Sequence, residues 1–278
     1  ERRMFDSGLL HLTSTVPTND IPVLRETQPD IIKIDDYLGT YFFRFNVTRP
    51  PLDNPLVREA LTFAIDRQQL VDKVTLGDQK PAHAYVPAGF NGYPSPDRIG
   101  FDPERARARL AEAGYPGGEG FPTLYLLFNT SEGHRKIAEA IVAMWNEVLG
   151  INMQLENKEW KVYLDAQSNL NYDVSRSGWI GDYMDPITFL EMFTTGNGNN
   201  DTGWSNPRYD SLIEQAYRST TEEEHFRLLL EAESILLDEL PVAPLYWYTR
   251  IYLKDPRLRG WEPKLLDNHL YKTLYFAE

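Results

Sequence analysis

Between residues 122 and 180 the sequence alternates short apolar runs with amphipathic segments, and that order limits the fold more than any other feature. "PTLYLLFN" reads as a strand. Ser131 stands where an N-cap belongs, ahead of "EGHRKIAEAIVAMWNEVLG", which closes on Gly150. "INMQLENKE" is a second strand, "WKVYLDAQSNL" a helix and "YDVSRSGW" a third strand. Strand, helix, strand, helix, strand predicts right-handed crossovers and neighbouring parallel strands. Ligands of open α/β sheets sit outside the carboxyl ends of such strands. Three clusters end there: Asn129, Thr130 and Ser131 with His134; Lys158, Glu159 and Trp160; and Arg176 through Asp182.

The flanking segments extend a mixed α/β pattern. "YFFRFNV" (41–47) is predicted as an aromatic strand. "LVREALTFAIDRQQLVDKV" (56–74) is predicted as one amphipathic helix, with Leu56, Ala60, Phe63, Ala64 and Leu70 on one face. Glycine and proline make 81–100 a loop. Asp102 as N-cap, Pro103 at the first helical position and Gly114 as the stop bound another helix. "NPRYDSLIEQAYRST" and "TEEEHFRLLLEAESILLDEL" read as helices, and "VAPLYWYTRIYL" (242–253) as a strongly aromatic strand. The net charge of −13 argues against a nucleic-acid partner, which needs a positive footprint. With no cysteine, a disulfide scaffold, a thiolate nucleophile and a zinc–thiolate site are excluded. No run of about 18 apolar residues is available to span a membrane. The opening "ERRMFDSGLL" lacks the core of a signal peptide and reads like the interior of a longer chain.

The polar residues are densest in "YDVSRSGWIGDYMDP" (172–186), where a strand turns abruptly into arginine, glycines, tryptophan and acids. A strand leaving its sheet beside a ligand would do this. Each residue also has a plainer reading. Arg176 fits a structural arginine paired with Asp173 or Glu159, Trp179 a core aromatic, and His134 a solvated or capping residue. Asp185, before Pro186, fits an N-cap for "PITFLEMF". Asp182 has no such duty. Asp182 and Asp185 also invite a carboxylate-dependent glycoside hydrolase, although two acids three apart in a loop are common. No G-x-S-x-G elbow, H-E-x-x-H helix, phosphate-cradling loop or dinucleotide fingerprint occurs, and "GNGNNDTG" (196–203) resembles a calcium loop in composition only. Five scattered histidines do not make a transition-metal site.

"YLGTYFFRFNVTRPPLDNPLVREALTFAIDRQQLV", "LLFNTSEGHRKIAEAI", "EWK" with "YLD", "YDVSRSGWIGDYMDPITFL" and "NPRYDSLI" follow one another in an order that resembles a known family. It is that of the extracellular solute-binding proteins of bacterial ABC importers, of the dipeptide/oligopeptide/nickel type (family 5), and the likeness is greatest to its oligopeptide-binding branch. The resemblance implies a periplasmic-binding-protein-like type II lobe, α/β with a mixed sheet and flanking helices, from an incomplete two-lobe protein. It implies a crossing segment at 1–36, a C-terminal ligand-binding lobe at 37–250 and a return segment at 251–278. It also implies capture of short peptides and their delivery to ABC permease subunits. That work would take place in the periplasm or outside the cell, with membrane contact only through the permease or a lipid anchor, and with no catalysis or cofactor. By position, Asp182 would hold the peptide's α-ammonium group, and Arg176 and His134 its carboxylate. Trp160 and Trp179 would wall the side-chain pockets, beside Asn129, and the backbone of Ser177, Gly178 and Trp179 would pair with the extended peptide. Gln167 stands where oligopeptide-binding relatives can carry a second arginine. Nickel, sugar and other solute binders share the fold, so they remain alternatives.

Overall fold

Two short helices, α1 (Arg2–Asp6) and α2 (Asp20–Thr27), precede β1, which runs from Ile32 to Phe45 in a computed structural model that describes residues 1–277. β1 is much longer than the aromatic run alone predicts. It stops at Asn46, whose side-chain amide donates to the carbonyls of Leu170 and Tyr172, both at 2.9 Å, and so draws the chain out of the sheet. The single helix expected over 56–74 is divided. α3 (Pro55–Phe63) ends before Asp66, α4 (Arg67–Leu70) restarts, and a π-type turn at Val71–Thr75 follows. Asp66 caps the new start by accepting the Gln69 N–H at 2.9 Å. The buried Arg67 side chain holds the break by donating to the carbonyls of Thr62, Ile65 and Pro244. The apolar periodicity carries through this break, so it conceals it.

After the short β2 (Lys80–Pro81) and a long loop, α5 (Pro103–Glu112) is capped by Asp102 as expected. The central alternation then follows: β3 (Leu124–Asn129), α6 (Glu132–Leu149), β4 (Met153–Lys158), α7 (Trp160–Ser168) and β5 (Val174–Ile180). The chain continues through α8 (Ile187–Leu190), α9 (Pro207–Arg218) and α10 (Glu222–Glu239) to β6 (Val242–Leu253), and closes with the pair β7 (Leu258–Arg259) and β8 (Tyr275–Phe276). The six-stranded sheet has the order β2-β6-β1-β5-β3-β4. β3 is parallel to both β4 and β5, whereas β1 is antiparallel to β5 and β6. It is a mixed sheet.

β1 lies inside the sheet and is covered on both faces, which is why its sequence reads as a continuous aromatic run. Phe43 meets Trp145 of α6 (ring centroids 6.2 Å apart), and Phe42 meets Tyr85 at 5.1 Å. A smaller core gathers Ile21, Leu24, Ile32 and Leu253 around the far ends of β1 and β6. A register shift between Asp36 and Thr40 of β1 separates the two cores. Loop 81–100 is anchored by the buried Glu233 of α10, which accepts from the amides of Tyr85 (3.0 Å) and Val86 (2.8 Å) and from the Tyr93 hydroxyl (2.6 Å). Burial pushes the Glu233 carboxyl up to about 7, against those three donors. Among the described residues no helix is long and apolar enough to cross a membrane.

Candidate functional site

The parallel ladder places the ends of β3 and β5 side by side. Among the described residues β3 pairs with β5 only through Val174 and Ser175, after which β5 runs on to Ile180 with no strand on that edge. On the other side β1 pairs with β5 throughout, and the Gly181 N–H donates to the Leu38 carbonyl at 2.8 Å. Antiparallel ladders alternate, so Ser177 and Trp179 turn their backbone groups to β1 while Gly178 turns its own to the open edge. Of the three residues expected to pair with a ligand's backbone, only Gly178 faces that way. Neither Gly178 nor Gly181 has a positive φ, so unusual dihedrals do not explain these glycines. Space does at Gly178, where a Cβ would lie 2.5 Å from the Tyr248 hydroxyl.

Arg176 projects from β5 into a polar and aromatic surround. One terminal nitrogen donates to the Asn129 side-chain oxygen at 3.2 Å and the other to the Tyr248 hydroxyl at 3.4 Å, while its Cζ lies 5.0 Å from the Tyr41 ring centroid. Its Nε is buried and has no partner among the described residues. The carboxylates that would have made it a structural ion pair are elsewhere: Asp173 accepts the Tyr125 N–H, and Glu159 caps α7 by accepting the Lys161 N–H. The guanidinium is thus half-buried with no anion beside it among the described residues, a costly arrangement unless something else supplies one. Its carbonyl is fixed by the Tyr163 hydroxyl and by Gln167, whose Nε2 donates at 3.0 Å. Gln167 therefore serves as a brace for this strand.

His134 lies in the first turn of α6, its N–H directed at the Ser131 hydroxyl, and its Nδ1 is 3.2 Å from the Tyr41 hydroxyl. Burial and the neighbouring Arg176 push its pKa down to about 3, so the ring is a neutral hydrogen-bonding group. Trp160 is half exposed and stacks on Tyr163 (centroids 5.5 Å apart, planes at 21°), offering an aromatic face to solvent. Trp179 is partly buried and its indole N–H donates to the Thr188 carbonyl at 2.7 Å. The Thr188 hydroxyl in turn accepts the Asp182 N–H at 3.1 Å, which sets the turn. The Asp182 side chain is exposed, with no hydrogen bond or ion pair among the described residues. Asp185 does more than cap: it accepts the Ile187 N–H at 2.9 Å and also faces His225 at 3.0 Å.

The tyrosine surround escaped the sequence reading. Tyr41, Tyr246 and Tyr248 read as strand filler, yet Tyr41 and Tyr246 stack at 4.8 Å and Tyr248 packs edge-on against both. The available signal was the pair of tyrosines two apart on β6, which period-two geometry places on one face. Arginine, asparagine, histidine and tyrosine hydroxyls converging at strand ends can receive an anion. An exposed carboxylate six residues along the same strand and turn can receive a cation.

The model of bacterial extracellular solute-binding proteins, family 5, middle region, matches residues 1–201. The chain is 40% identical over 253 residues to the oligopeptide-binding protein OppA of Bacillus subtilis, covering 88% of this chain and 46% of that protein. It is 36% identical over 279 residues to the periplasmic murein peptide-binding protein MppA of Escherichia coli, covering 98% of this chain and 52% of MppA. The solved structure of the E. coli murein tripeptide binding protein MppA matches with a TM-score of 0.92 at 34% identity, over 100% of this chain and 56% of that one. The chain spans about half the length of the relatives it matches, and its mixed sheet with flanking helices is part of a type II periplasmic-binding-protein fold. It belongs to the bacterial extracellular solute-binding proteins of family 5.

Proposed function

We propose that this chain supplies one wall of a cleft that holds short peptides outside the cytoplasmic membrane for delivery to an ABC permease. One observation carries the reading. Among the described residues Arg176 is a half-buried cation without a counter-ion, and six residues away Asp182 is an acid without a cation. β5 carries the chain about 13 Å from Arg176 to Ile180 before the turn that holds Asp182, room for a short peptide laid with its carboxylate toward Arg176 and its ammonium toward Asp182. Asn129, His134 and Tyr248 would complete the carboxylate end, and the open edge at Gly178 would pair with the peptide backbone in the manner of an added strand. Trp160 and Trp179 would flank the side chains. Residues 37–250 would form the ligand-binding lobe, with 1–36 and 251–278 leading toward a second lobe. The related OppA and MppA, named for oligopeptides and murein peptides, support the same substrate class.

The role is binding and not catalysis. A glycoside hydrolase would need two carboxyls free to act on one bond, but Asp185 is engaged by Ile187 and His225. Native mass spectrometry of the chain with a mixture of peptides, nickel ions and small sugars tests the proposal. Adducts of free tri- to pentapeptides are expected. Preferential adducts of nickel or sugar would overturn it.

A further inference from the structure

Besides the Gly181–Leu38 backbone bond, the turn that presents Asp182 is tied to helix α10 through a histidine. His225, in the first turn of α10, directs Nε2 at both oxygens of Asp185, each at 3.0 Å, and Nδ1 at the Ala216 carbonyl at 2.9 Å. A carboxylate and a carbonyl only accept hydrogen bonds, so a neutral ring can satisfy one of them and must leave the other facing a lone pair. The Ser219 hydroxyl, 3.3 Å from Nδ1, already donates to the same Ala216 carbonyl at 2.7 Å. Only the imidazolium fits every partner. From Asp185 the connection runs to the site. The Asp185 carbonyl accepts the Thr188 N–H at 3.2 Å, the Thr188 hydroxyl accepts the Asp182 N–H, and the Thr188 carbonyl accepts the Trp179 indole.

The charged groups on His225 are Asp185 from the turn and Glu222 from its own helix, both acidic, while α9 contributes the Ala216 carbonyl. We infer that protonated His225 is a positioning residue that clasps residues 181–188, so that the hold on a ligand's cationic end weakens as the medium becomes alkaline. This rests on the reading of Asp182 as the ammonium receptor. Burial opposes the imidazolium, but the Asp185 carboxylate and the Ala216 carbonyl outweigh it, and the His225 pKa ends above its ordinary value. The sign follows from that direction. The clasp is complete on the acid side of the ordinary histidine range and is lost as pH rises through the raised value.

Nuclear magnetic resonance of the ligand-free chain tests the clasp directly. The amides of Asp182 and Thr188 should titrate with the same midpoint as the His225 ring, above the ordinary histidine value. These shifts should vanish in His225→Gln. Asp185→Asn keeps a capping oxygen for Ile187 but removes the charge, so the His225 midpoint should fall; this holds the test open even if His225→Gln does not fold. Trialanine affinity should fall about threefold more in the wild type than in His225→Gln between about pH 6 and pH 8.5, a ratio in which the peptide's own titration cancels. Amides that do not follow His225, or identical pH profiles for wild type and His225→Gln, would overturn the inference. Equal binding of trialanine and its N-acetylated form at about pH 6 would instead sink the Asp182 reading and leave the amide result to stand alone.

Discussion

Two arginines touch the same strand, β6, and the structure treats them in opposite ways. Arg67 is buried and engaged at all three of its nitrogens: Nε donates to the Pro244 carbonyl at 2.7 Å, and its terminal nitrogens donate to Thr62 and Ile65 at 3.1–3.2 Å. Arg176 makes two long bonds, 3.2 and 3.4 Å, and leaves Nε unmatched. Every nitrogen of the first arginine has a partner, and among the described residues the Nε of the second has none. A guanidinium has five donors and cannot shed its charge, so every unmatched donor is a standing cost that a ligand can relieve. Incomplete coordination, more than burial or charge, separates a residue that builds the fold from one that waits for a partner.

That contrast can be broken by exchange. Arg67→Met should leave three backbone carbonyls without donors and lower stability by about 3–5 kcal/mol, read as a falling denaturation midpoint. Glu233 offers a milder case of a charge completed internally. Its folded pKa of about 7 is raised from an ordinary carboxylate, so the folded state holds a proton that the unfolded state releases. Stability should therefore fall by about 3 kcal/mol as pH rises from the ordinary carboxylate range through neutrality, and Glu233→Gln should flatten that slope. Thermal scans across pH would check it.

Arg176→Met should behave the other way round from Arg67→Met. Stability should change by less than about 1 kcal/mol, while affinity for peptides with a free carboxylate should drop at least about tenfold, measured by calorimetry. A large loss of stability would place Arg176 with Arg67 as a fold residue. The smallest structural effect belongs to Asp182→Asn. The exposed side chain contributes within about 0.5 kcal/mol to stability. Its loss should still weaken peptides with a free ammonium group about tenfold and reduce discrimination against N-acetylated ones.

The central alternation was legible because local signals coincide there. Ser131 caps, Gly150 stops with a φ of 71°, and the apolar runs match the buried strands. The end of β5 was legible as a candidate site because polar residues crowd where apolar ones would continue the sheet. The break at Asp66 was hidden, since the apolar periodicity runs through it and part of what stabilises it is a contact between Arg67 and Pro244, 177 residues away. The Asp185–His225 contact was hidden for the same reason, with 40 residues between the partners. Local pattern showed which residues were polar. It could not show which of them would find partners, and on that the distinction between Arg67 and Arg176 depends.

If Arg176 and Asp182 answer the two ends of one peptide, titrating the chain with trialanine, N-acetyl-trialanine and trialanine amide will separate the two ends. Chemical-shift changes at Arg176 and Asp182 would report each end separately. Acetylation should weaken binding and abolish the response at Asp182 alone, and amidation should weaken binding and abolish the response at Arg176 alone. Equal affinities for all three peptides, or responses that do not separate by end, would contradict it.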